Sequence, residues 1–131
     1  MRFVGCLALV VLLTTPLISL AAEDGKQSFN NRCRTCHSMN EGDNRQGPSL
    51  HGIVGRKAAG SEGYASYSQA LASSNIVWDE QTLDRFIQNP DAAVPGHNMR
   101  PYAGLPDENE RRQIIAYLSS ASSNASASSD E

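Results

Sequence analysis

Lysine, aromatic residues and cysteine are all in short supply along this 131-residue chain, and each shortage removes a class of explanation. Lys26 and Lys57 are the only lysines and the formal net charge is −3. That leaves no basic footprint of the kind a nucleic acid requires, and none is expected as a partner. Phe, Tyr and Trp together make up 6% of the residues, too little bulk for a domain of this size to fill its core comfortably. No stretch shows the strict apolar–polar alternation of a half-buried strand. That argues against the βαβ surroundings of a thioredoxin-like dithiol. Of three cysteines, Cys6 lies in an apolar leader, so two remain for the rest of the chain.

The leader reads Met1-Arg2 followed by "FVGCLALVVLLTTPLISLAA". A basic residue, an apolar core over Val4 to Leu13 and the small pair Ala21-Ala22 are the parts of a cleavable export signal. A signal peptide is therefore expected over residues 1–22, with a periplasmic mature protein starting near Glu23. The competing reading is an uncleaved membrane anchor, since the run approaches the ~20 residues of a spanning helix. Thr14, Thr15 and Pro16 thin it out. One domain is expected over 23–120. Residues 121–131, small and polar, are expected to form a disordered tail.

The two retained cysteines stand in "CRTCH", residues 33 to 37. In an oxidising compartment a pair of cysteines usually means a disulfide. A structural zinc site needs four protein ligands, and only one such pair exists here. Cys-x-x-Cys-His is instead the attachment signature of a c-type haem. Cys33 and Cys36 would add to its vinyl groups, and His37 would be placed on the iron. A methionine commonly supplies the opposite ligand in electron carriers. Met39 stands too near His37 to reach the other face, whereas Met99 lies in the irregular "PGHNMRP". Met99 is the expected sixth ligand. His51, among glycines in "GPSLHG", is expected to pin its loop through a backbone hydrogen bond. His97 is expected to face solvent and to be the substitute ligand if Met99 is lost.

Helical periodicity places Gly25, Phe29 and Cys33 on one face, so a helix runs straight into the motif. Residues 38 to 63 hold six glycines and one proline, the mark of an Ω-type loop. "YSQALA" reads as a short helical turn. In "WDEQTLDRFIQNP", Asp79 is the expected N-cap, Leu83, Phe86 and Ile87 share a face, and Pro90 is expected to stop the helix. In "PDENERRQIIAYL", Asp107 and Glu110 have capping-box spacing, and Ile114, Tyr117 and Leu118 form the apolar face. Three main helices carry too few large apolar residues for a full core, and a mostly apolar haem would complete it.

Over nearly all of residues 24 to 118 the chain resembles the class I cytochromes c of mitochondria and bacteria. The resemblance is carried by "CRTCH", "GPSLHGIVGRKAAG" at 47–60, Tyr67-Ser68, Trp78, "NPDAAVPGHNM" and "IIAYL". It implies an all-α cytochrome c fold: three main helices, short helical turns and an Ω-type loop wrapped around one haem c. It further implies that Pro48 supports His37 from behind and that Tyr67 and Trp78 hydrogen-bond a haem propionate. Arg56 would lie near the propionates, and the Gly25/Phe29 helix would cross the last helix near Tyr117. The implied function is one-electron transfer by a monomeric carrier that is no enzyme. Its partners would be a membrane oxidase, a quinol–cytochrome c reductase or a periplasmic dehydrogenase.

The lysine ring that mitochondrial members use for docking is missing. Residues 23–60 hold Lys26, Arg32, Arg34, Arg45, Arg56 and Lys57 against four acids, while the excess acid lies beyond residue 61. An asymmetric field of this kind can orient a partner even when the net charge is unfavourable. The alternative function is a haem module with an open sixth position, suited to gas sensing or peroxide chemistry.

Overall fold

The computed structural model describes residues 18–128, so most of the expected signal peptide over 1–22 falls outside the described residues. Five helices follow one another: α1 (Ile18–Arg32), α2 (Gln69–Ala72), α3 (Glu80–Gln88), α4 (Pro90–Ala93) and α5 (Glu108–Ser128). Three are long, as the periodicity predicts; of the two single turns, α2 falls in the expected "YSQALA" turn, whereas α4 begins at Pro90, where only a stop is expected. Among the described residues the nearest thing to a sheet is one antiparallel bridge, Lys57 to Val77. None of the described helices is long and apolar enough to cross a membrane.

Local chemistry sets the helix ends. At α3 the Asp79 carboxylate accepts the Thr82 N–H at 2.7 Å, and the Thr82 hydroxyl accepts the Asp79 N–H at 2.8 Å. This reciprocal box satisfies two donors that a helix start leaves bare. Pro90 does more than stop α3: it opens α4, where a missing N–H costs nothing. Asn89 serves both helices, its backbone N–H closing α3 on Arg85 O and its side chain accepting the Ala92 N–H. At α5 the Asp107 carboxylate accepts the Glu110 N–H at 2.7 Å. Glu110 does not reach back to complete the box; its carboxylate takes the Arg32 guanidinium at 2.8 and 3.1 Å.

The core forms where α1 and α3 lie against α5. Phe29, Phe86, Ile114 and Leu118 are buried. Gly25 permits the closest approach, since a Cβ there would stand 3.0 Å from Tyr117 Cβ and press into the Gln113 carbonyl. One turn on, Phe29 meets the Tyr117 ring at 5.6 Å. Arg111 is buried and ties α5 to α3 through Asp84 at 2.7 Å, while donating to the carbonyls of Leu105 and Pro106.

The tail expected to be disordered from residue 121 instead continues α5 to Ser128. Alanine is the best helix former. The extension also has a tertiary contact: buried Ser122 donates to Leu118 O at 2.8 Å and accepts the Val54 N–H at 3.3 Å.

Candidate haem site

The chain leaves α1 directly into the cysteine pair. Cys33 N–H still bonds to Phe29 O at 2.8 Å, and the His37 N–H closes a last turn on Cys33 O at 2.9 Å. This turn puts both thiols and the imidazole within five residues of one rigid helix end. Both cysteines are half-buried and free, not joined to each other. Burial pushes the Cys33 thiol up to about 12, with Glu110 and Cys36 adding to the shift. The Cys36 thiol donates to Gln46 Oε1 at 3.3 Å.

His37 is buried, and its Nδ1 lies 2.8 Å from Pro48 O. A carbonyl can only accept, so the proton sits on Nδ1 and the lone pair on Nε2. Burial holds the imidazole pKa below its ordinary value, against the opposing effect of the Pro48 carbonyl. A neutral ring with a lone pair on the nitrogen away from its backbone partner is the form an iron ligand needs.

The Gly-rich loop is held by backbone-directed side chains. Asn44 accepts the Ser49 N–H at 2.9 Å and donates to Glu62 O at 3.0 Å. His51 Nδ1 lies 3.3 Å from Met39 O, the loop-pinning contact expected of it. Arg56 is turned inward and donates to His51 O at 2.9 Å and Ser49 O at 2.8 Å. Burial pushes its pKa down, yet no carboxylate pairs with it among the described residues. Tyr67 accepts the Ser61 N–H through its hydroxyl at 3.2 Å, which leaves its own proton available. Trp78 is buried with its ring 5.2 Å from Phe86. A half-buried cation, a phenol and an indole are the donors that haem carboxylates would take.

Met99 is half-buried and packs against the core. Its segment is tied to the loop opposite by Asn98, which donates to Ser66 O at 2.7 Å. His97 departs from expectation. It is buried, not solvent-facing, with its ring edge-on to Phe86 at 5.8 Å. Nothing in "PGHNM" announces this, because the burial comes from α3. Asn44, Asn98 and Arg111 also escape the sequence, where each reads as an ordinary surface polar residue.

The donor set therefore suits a covalently held haem: two free thiols, one neutral imidazole and one thioether from a distant loop. Among the described residues no three His, Cys, Asp or Glu side chains gather as a protein-only metal site would require.

Comparison with known proteins agrees. The family model described as cytochrome c matches residues 22–122. Cytochrome c of Euglena viridis is 42% identical over 97 residues, covering 74% of this chain and 93% of that protein. Cytochrome c2 of Rhodopila globiformis is 44% identical over 95 residues, covering 72% and 88%. Among solved structures, cytochrome cH from Methylobacterium extorquens superposes with a TM-score of 0.68 at 39% identity, covering 76% of this chain and 97% of that one. The chain thus belongs to the cytochrome c family, and Cys33 and Cys36 are the residues through which its haem c is covalently held.

Proposed function

We propose that the mature protein is a soluble, periplasmic, monohaem one-electron carrier in which His37 and Met99 would hold the haem iron. Membrane oxidases, quinol–cytochrome c reductases and periplasmic dehydrogenases are the classes of partner it would serve. The observation that carries this reading is the His37 tautomer, fixed by Pro48 O so that Nε2 keeps its lone pair. Bound haem supplies an iron that gains and loses one electron.

The residues that would hold it are positioned by the protein's own backbone. Pro48 holds the imidazole plane, and the turn from Cys33 to His37 sets its height. Met99 offers a neutral, soft sulfur, which favours the ferrous state and raises the potential. Arg56, Tyr67 and Trp78 would hold the haem carboxylates and shield their charge. Pro48 keeps His37 oriented throughout, and no proton needs to move there when the electron does.

The ferric holoprotein should show a sulfur-to-iron charge-transfer band that disappears in Met99→Ala, and the ferrous protein should bind carbon monoxide poorly. High-spin iron that takes up carbon monoxide freely without any substitution would instead make this a haem module with an open position.

A further inference from the structure

The segment from Val94 to Pro101 has no regular structure to hold Met99 in place, so its own side chains must do so. His97 is the most enclosed of them, its side chain 0% exposed. Its Nδ1 accepts the Met99 backbone N–H at 3.0 Å. A ring nitrogen that accepts carries no proton, so the imidazole is neutral and Nε2 is the protonated atom. Nε2 lies 3.2 Å from Asp91 Oδ1. Its N–H is not aimed at that oxygen, and it makes no hydrogen bond. The same Asp91 carboxylate grips Arg100 at 2.6 and 3.1 Å. The residues before and after Met99 in this segment are thus drawn towards one carboxylate on α4.

We infer that His97 is the positioning residue for Met99. Its ring acts as asparagine acts in an Asx-turn, offering an acceptor to the N–H two residues on. The inference rests on Met99 being an iron ligand, as proposed above. A merely space-filling His97 would matter through its contact with Phe86 rather than through Nδ1.

Two substitutions separate these roles. His97→Phe keeps a ring against Phe86 but has no acceptor. His97→Asn loses the ring but places an oxygen as many bonds from the backbone as Nδ1. Ferric holoprotein is titrated with imidazole, which competes for the iron, while loss of the sulfur-to-iron band is followed. His97→Phe should bind imidazole about tenfold more tightly than the parent, equivalent to about 1.4 kcal/mol, as expected for one lost hydrogen bond. His97→Asn should stay within about threefold of the parent, because the acceptor is restored. Phe matching the parent, or Asn releasing Met99 as readily as Phe, overturns the inference.

Should His97→Phe fail to fold, nitrogen NMR of the unsubstituted holoprotein decides. Nδ1 is expected to be unprotonated and Nε2 protonated, and a protonated Nδ1 overturns the role. Met99→Ala separates this inference from the functional reading. A band that survives Met99→Ala removes the ligand reading and this inference with it. A band lost in Met99→Ala but indifferent to His97→Phe removes only the role of His97.

Discussion

At Gly47 the missing side chain is a requirement of the imidazole beside it: a Cβ there would lie 2.7 Å from His37 Nδ1 and 2.9 Å from Nε2. Real Cβ atoms do not approach that closely in a well-packed interior. The Gly47 N–H also closes the loop on Cys36 O at 2.8 Å, so the backbone is not free to retreat. Gly47→Ala should therefore lower the ratio of haem to purified protein and disturb the low-spin spectrum, whereas a normal ratio and spectrum would remove the packing argument. Cys33→Ala should leave haem held by a single thioether and sharply reduce holoprotein yield, read as covalent haem after denaturation. At this scale the attachment motif is legible in sequence because covalent chemistry confines its three residues to adjacent positions. The supports of the site are not. Arg56, Asn44 and His97 all bind backbone groups, which any residue type can supply, so no partner residue marks them in advance.

Helices α3 and α5 could be drawn from the sequence because their caps and apolar faces agree with each other. α4 and the far end of α5 could not, for opposite reasons. α4 is a single turn that Asn89 and Pro90 permit, and a proline in that position also reads as a stop. The Ser/Ala extension has no apolar stripe, and its attachment through Ser122 is a tertiary event. The crossing of α1 and α5 turns on Gly25, where any larger residue meets the Gln113 backbone. Gly25→Val should cost about 1–3 kcal/mol, the usual range for overpacking, seen as a lower denaturant midpoint for the holoprotein with little change in its spectrum. The box at α3 predicts a pH dependence. Hydrogen bonds from Thr82 hold the Asp79 carboxyl below its ordinary 3.8. Because the folded value is depressed, its contribution is complete above about 3.8 and is lost as pH falls through the lower folded value. The difference in urea midpoint between the parent and Asp79→Ala should accordingly be constant near neutrality and shrink below 3.8; a gap that widens in acid would contradict the assignment.

Counted along the whole molecule, the residues before position 61 look basic, but the structure pairs much of that charge. Arg32 is bound to Glu110 and Arg45 to Asp43, while Arg56 points inward. A sequence carries the number of charges and not their partners, and the asymmetric field suggested by composition is reduced at short range by these pairs. Electron-transfer rates with a physiological partner should consequently change less than about threefold between ~0.01 M and ~0.15 M salt, a span over which the screening length falls from ~30 to ~8 Å; a steep decline would show that Lys26, Arg34 and Lys57 steer docking on their own. The pairing of the first long helix with the last has a further consequence, for the order in which the protein is made. Ser28 meets Gln113 across 85 positions and Arg32 meets Glu110 across 78. Cys33 follows these two residues at the end of α1, so the helix that fixes its neighbours is translated long after the thiol itself. A chain without that helix would keep both thiols but lose the two contacts that tie the first helix down. A chain ending at Pro106 should accept haem at both thiols when coexpressed with a haem-attachment apparatus, yet show no cooperative unfolding by circular dichroism.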